Sequence, residues 1–185
     1  MKKVILTLLV GLVTLCTSAQ GFEPEIRVGY DLGVDTYKNT SFGGKFTAGY
    51  RFNPMFRFGA GVGMDYVDLF YENAHFTKYD YRKKYYESAM SVPLFLNAKV
   101  NFTDNRVSPF FATDFGYNIF IPCSDYAEHN SLGIFVAPSF GIDIRAGRGA
   151  FIIQVGYKYQ ARDFDGWAKT NGNYSQVTFS TGYQF

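Results

Sequence analysis

Eight segments of this chain alternate apolar and polar residues at period two, and few folds can use that pattern. In the first, Ile26, Val28, Tyr30 and Leu32 share one face; Arg27, Gly29, Asp31 and Gly33 share the other. The second segment runs from Phe42 to Phe52, the third from Phe56 to Tyr66 and the fourth from Ser91 to Phe102. The fifth covers 111–119, the sixth 133–145, the seventh 151–162 and the last 176–185. Successive side chains of a strand point to opposite faces, so alternation this long predicts two-faced strands. Aromatic residues make up 19% of the chain and no helix-length pattern of spacing three to four interrupts the series, which agrees with an all-β reading.

The connections alternate in length. Short ones join the second and third strands (Asn53-Pro54), the fourth and fifth (Thr103 to Val107) and the sixth and seventh (Ala146 to Gly149). Long ones join the first and second (Val34 to Ser41), the third and fourth (Val67 to Tyr86), the fifth and sixth (Pro122 to Ser131) and the seventh and eighth (Asp163 to Gly172). Short turns on one side and long loops on the other are the arrangement of bacterial membrane barrels, whose turns face the periplasm. A tilted strand of roughly 9–11 residues crosses the hydrocarbon.

A soluble eight-stranded barrel would turn its apolar face inward. Three features select the opposite orientation. The polar face is rich in glycine, including Gly29, Gly43, Gly49, Gly59, Gly61, Gly63, Gly116, Gly141, Gly156 and Gly182, which suits a narrow interior. The apolar face is bulky on every strand. Its aromatics gather at the strand ends: Tyr50, Phe52, Phe56, Phe58, Phe102, Phe111, Phe151, Tyr183 and Phe185 toward the turns, and Tyr30, Tyr66, Tyr117, Tyr157 and Tyr159 toward the loops. Such girdles mark membrane interfaces. The expected fold is an eight-stranded antiparallel up-and-down transmembrane β-barrel. Its inward face would carry Arg27, Lys45, Arg51, Arg57, Lys99, Arg145, Lys158 and Arg162 with Asp31, Asp65, Glu87, Asp114 and Asp143. Eight strands enclose only enough room for side chains, so these charges are expected to pair and plug the interior.

The N-terminus carries its own instruction. Met1-Lys2-Lys3 precedes an apolar run from Val4 to Leu15, and Thr17-Ser18-Ala19 offers small residues before Gln20. This order predicts a secretory signal over 1–19, cleaved between Ala19 and Gln20, with the barrel domain over 20–185. The apolar run is too short to span a bilayer as a helix. Without Lys2 and Lys3 the chain has 16 basic and 16 acidic residues. That balance argues against nucleic acid as a partner. Cys16 leaves with the signal and Cys123 stays alone, either as a solitary thiol or as half of an intermolecular disulfide.

With these features the chain resembles the small outer-membrane β-barrel proteins of the OmpA/OmpX-like kind. The signal ending at Ala19 and the segment from Val92 to Lys99 are similar to versions from Bacteroidota, a Gram-negative group. The terminal strand carries the most specific likeness: these proteins end in an aromatic with another two residues before it, and Tyr183 and Phe185 match. Ser180 stands where a glycine is often found. The resemblance implies outer-membrane lipid and lipopolysaccharide as surroundings. It also implies periplasmic chaperones and the barrel-insertion machinery as partners in biogenesis, with Tyr183 and Phe185 as the insertion signal.

Some barrels of this kind are lipid A enzymes that use a His-x-Ser pair with a carboxylate close by. His129-Asn130-Ser131 has the spacing of the pair, and Asp143 follows. Twelve strand residues at about 3.3 Å each would hold Asp143 roughly 40 Å from Ser131, beyond any hydrogen-bond reach. Asp125 and Glu128 share a polar loop with the pair. No catalytic residue is assigned, and no cofactor is implied. His75 and His129 lie in different loops without ligand spacing, so no metal site is expected. The richest surface is the segment 76–86, where Tyr79, Tyr81, Arg82, Lys83, Lys84 and Tyr85 interleave rings and cations. Tyrosine gives rigid contact area and cations pair with anions. The segment either binds a surface protein, a glycan or lipopolysaccharide phosphates, or extends the hairpin above the membrane. A structural or surface-interaction role is the expected function, with a narrow gated channel and a lipid A-modifying enzyme as the alternatives.

Overall fold

The computed structural model describes residues 21–34, 39–71, 85–122, 131–161 and 174–185. They form eight strands: β1 (Phe22–Gly33), β2 (Asn39–Arg51), β3 (Phe56–Tyr71), β4 (Tyr85–Asn101), β5 (Val107–Pro122), β6 (Ser131–Ala146), β7 (Gly149–Gln160) and β8 (Tyr174–Gln184). Each strand pairs antiparallel with its chain neighbours, and β8 returns to β1 to close the barrel. At that seam Ile26 stands opposite Tyr183, and the Phe185 N–H donates to the Pro24 carbonyl at 2.9 Å. Closure leaves no sheet edge, which is the condition for a sheet to sit in lipid. The β3–β4 and β6–β7 ladders lapse beside Pro93 and Pro138, where proline has no N–H to give.

Among the described side chains the expected faces are the observed ones, Arg145 excepted. Phe42, Phe140 and Ile153 point outward and are 62%, 61% and 58% exposed, while Arg57 and Lys99 point inward and are almost wholly buried. The girdle rings touch one another on the turn side, with Phe151 to Tyr183 and Tyr183 to Phe185 at centroid distances of 5.1 and 5.0 Å.

Turn chemistry sets the short connections. The Asn53 side chain accepts from the Met55 and Phe56 N–H groups at 2.9 and 2.7 Å, which fixes the β2–β3 turn. Gly147 takes a φ of +68° in the β6–β7 hairpin. Tight hairpins need that left-handed conformation, which only glycine adopts freely.

Three details depart from the expectation. First, β1 begins at Phe22, not Ile26, which brings Glu23 and Glu25 into the barrel. Second, the third connection is shorter than Val67 to Tyr86. β3 continues to Tyr71 and β4 starts at Tyr85, with Phe70 opposite Tyr86 and Tyr71 opposite Tyr85. Aromatic residues on both arms favour strand pairing there. Third, the lumen is not only polar. Phe95, Phe135 and Ala137 form one buried apolar cluster, Phe110, Ala112 and Ile152 another, and Val67 with Phe120 a third. Glycines make room for these rings: a Cβ on Gly61 would collide with Phe95, and one on Gly141 with Phe110.

Candidate functional site

The inward faces of β1 to β7 build a charged core, and β8 adds Gln184, which hydrogen-bonds Lys99 and Glu23. Among the described residues it holds six cations (Arg27, Lys45, Arg51, Arg57, Lys99 and Lys158) and six acids (Glu23, Glu25, Asp31, Asp65, Asp114 and Asp143), each within 4.0 Å of an opposite charge. Interior positions cannot hydrate these groups, so mutual pairing is what makes their burial tolerable.

Glu25 is the hub of the turn-side half. Its carboxylate lies 2.7 Å from Arg27 Nε, 3.0 Å from Arg57 Nη1 and 3.8 Å from Lys99 Nζ. Lys99 also donates to Asp143 at 2.8 Å and sits 4.2 Å from the centre of the Phe110 ring. Asn101 donates to the second oxygen of Asp143 at 2.8 Å. Arg57 donates to Asn97 at 3.2 Å, and Asn97 in turn donates to Asp114 at 2.7 Å. Arg27 closes the circuit by reaching Asp114 at 3.1 Å. The amides carry the network between strands that are not neighbours.

The loop-side half is sparser. Lys158 alone serves Asp31 at 3.2 Å and Asp65 at 3.6 Å, and the Ser41 hydroxyl donates to Asp31 at 2.9 Å. Asn118 donates to Gln160 at 2.7 Å. Between the halves lies a small cavity of about 30 Å³, bounded by Arg27, Asp31, Lys45, Asp65 and Asp114 and walled by small residues such as Gly29 and Gly43. That is space for a water molecule or two. At the turn-side mouth a vestibule of about 490 Å³ opens, with Glu23, Arg51, Asp104, Arg145 and Arg148 around it. The charge network separates the two spaces.

The residues singled out in the sequence are scattered. Ala19, Gln20, His75, Tyr79, Tyr81, Arg82, Lys83, Lys84, Cys123, His129 and Arg162 lie outside the described residues. Tyr85 opens β4, and Glu87 stands on the same strand opposite Leu69. Ser131 and Asp143 occupy opposite ends of β6, and Asp143 is engaged with Lys99 and Asn101. Arg145, expected in the interior, sits at the mouth with its side chain 37% exposed and pairs with Asp104 at 2.6 Å. Glu23 and Glu25 were not legible as interior acids, because Pro24 between them breaks the run of bulky outward residues. The one available signal was parity, counted back from Arg27.

No protein-family model matches the sequence, and no curated protein does. Solved structures do resemble the fold. Neisserial surface protein A superposes with a TM-score of 0.61 at 17% identity, over 89% of this chain and 96% of that one. The outer membrane protein OprG from Pseudomonas aeruginosa superposes with a TM-score of 0.52 at 11% identity, over 89% of this chain and 95% of that one. At such identities the likeness is one of architecture: this chain has the closed eight-stranded barrel fold of solved outer-membrane proteins.

Proposed function

We propose that this chain is an outer-membrane barrel protein with a structural or surface-interaction role, in a Gram-negative envelope of the Bacteroidota type. A signal over 1–19 exports it, and the last strand with Tyr183 and Phe185 is what the insertion machinery reads. The observation that carries the reading is a pair of opposites on one closed sheet: an outer wall of exposed bulky apolar residues and an inner wall of buried, mutually paired charges. Water would penalise the first, and lipid would penalise the inverse arrangement. The short turns then face the periplasm and the long loops face outward. Heat-modifiable gel mobility tests the placement: protein extracted from outer-membrane fractions should migrate differently when unboiled, and a single mobility under both conditions would refute it.

The outer loops carry the interaction part of the role, with lipopolysaccharide phosphates, a glycan or a surface protein as the ligand of Tyr79, Tyr81, Arg82, Lys83, Lys84 and Tyr85. Replacing Arg82, Lys83 and Lys84 together by Gln should weaken binding to cells or to purified lipopolysaccharide and leave heat-modifiability unchanged. Equal binding would remove the loop from the proposal.

A narrow channel is the second reading. It is favoured by the two spaces, vestibule and inner cavity, that one layer of charges divides. Single-channel recording in planar bilayers separates the readings: a plugged platform conducts nothing, and a channel shows discrete openings.

A further inference from the structure

One corner of the turn-side mouth has more positive charge than it uses. The β4–β5 turn (102–106) lies beside the β6–β7 hairpin because β5 and β6 are paired. Arg145 fastens the two together. Its N–H donates to the Arg106 carbonyl at 2.8 Å, and its guanidinium donates to the Asp104 carbonyl at 3.0 Å and carboxylate at 2.6 Å. That pairing satisfies Arg145. Arg106 and Arg148 are both exposed, Arg148 borders the vestibule, and neither has an ion-pair partner among the described residues. Two exposed arginines therefore sit on one tied pair of turns.

Just toward the middle of the barrel from this lip the wall is apolar. Val107, Ile144 and Phe151 stand opposite one another across β5, β6 and β7, and they are 52%, 36% and 53% exposed to the outside. A ligand that satisfies both features is an anion with an apolar tail. Guanidinium pairs with phosphate through parallel N–H bonds, and a headgroup phosphate stands at the depth where girdle residues end and turns begin.

We propose that the lip formed by Arg106 and Arg148 is a binding site for the headgroup of an anionic phospholipid, with its acyl chains lying along Val107, Ile144 and Phe151. The site rests on the membrane placement proposed above and adds a lipid ligand on the turn-side leaflet. Arg145 and Asp104 are the positioning pair; they tie together the two turns that carry Arg106 and Arg148. A net anionic headgroup is required because the corner carries two charges that no acid offsets.

The test uses full-length protein in nanodiscs that contain equal phosphatidylglycerol and phosphatidylcholine of the same chains, with retained lipid read by native mass spectrometry. The unsubstituted protein should retain phosphatidylglycerol in preference. R106Q/R148Q should lower that preference roughly tenfold, the size expected when charge-assisted hydrogen bonds are removed. R106K/R148K, which keeps charge and loses the fork, should fall between. Glycerol phosphate supplied free at millimolar concentration should not displace the lipid. Full displacement would identify a soluble oxyanion site and overturn the lipid assignment. Heat-modifiable mobility is recorded for every sample. A shifted folded band without lipid preference overturns this inference alone; no folded band for the unsubstituted protein overturns the membrane placement and the inference with it.

Discussion

The two halves of the lumen solve the same problem with different redundancy. On the turn side, each acid has several donors: Glu25 lies within 4 Å of three cations, and Asp143 takes hydrogen bonds from Lys99 and Asn101. On the loop side, one lysine serves two aspartates. Apolar rings fill space in both halves, Phe95 and Phe135 in this one and Phe110 beside Lys99 in the other. Buried polar atoms without a hydrogen-bond partner among the described residues occur in both halves: Asn39 Oδ1, Asp65 Oδ2, Ser91 Oγ, Asn118 Oδ1 and Gln160 Nε2 on the loop side, and Arg27 Nε, Arg57 Nε and Asn101 Oδ1 on the turn side. Buried polar networks that are fully satisfied rigidify a core, and partly satisfied ones leave slack. The barrel is thus more densely cross-linked by charge, and by that measure more rigid, near its turns than beneath its loops.

The largest effect should come from the hub. Glu25→Gln keeps the shape and leaves Arg27, Arg57 and Lys99 without their shared anion. The loss of folding stability should be about 3–5 kcal/mol, the usual result of breaking a buried pair from one side. Urea unfolding from lipid vesicles, followed by the unboiled gel band, measures it. The same variant speaks to the channel reading: with the turn-side layer electrostatically unbalanced, planar-bilayer conductance should rise above that of the unsubstituted barrel. A Glu25→Gln barrel of unchanged stability would erase the contrast between the halves.

Lys158→Met makes the corresponding cut in the other half. It strips Asp31 and Asp65 of their common cation, yet the adjoining cavity gives water a place beside them. The expected cost is smaller, about 1–3 kcal/mol, below the usual value for a broken buried pair because water in the cavity can solvate the two carboxylates. Conductance should stay at the unsubstituted level, because the turn-side layer is intact. A cost equal to that of Glu25→Gln would show the halves to be equally committed.

The sequence made the outer wall far more legible than the plug. Period two is sufficient to place Phe42, Phe140 and Ile153 on the lipid side, since every strand repeats it. The plug depends on pairing across the barrel, between residues such as Arg27 and Asp114 that are far apart in the chain and on strands that never touch. Their common face was readable and their partners were not. Phe110, Phe135 and Ile152 were overlooked for a different reason. An apolar side chain fits lipid and lumen alike, so hydrophobicity cannot sort it; only parity within its strand does, and glycines opposite, such as Gly141 under Phe110, were the available hint. The candidate loop residues were legible only as composition.

The finest probe of the contrast is the amide pair Asn118–Gln160, a loop-side hydrogen bond in which no charge takes part. Asn118→Ala removes one hydrogen bond of 2.7 Å and leaves Gln160 with water or nothing. A neutral hydrogen bond contributes about 0.5–1.5 kcal/mol net, so the stability loss should be close to 1 kcal/mol. Asn97→Ala is the matched cut on the turn side. Asn97 donates to Asp114 and accepts from Arg57, and bonds to ionised groups are roughly twice as strong. Its loss should exceed that of Asn118→Ala by a factor of about two or more in the same urea titration. If the two amides cost the same, the turn-side network is no tighter than the loop-side one, and the gradient of rigidity along the barrel disappears.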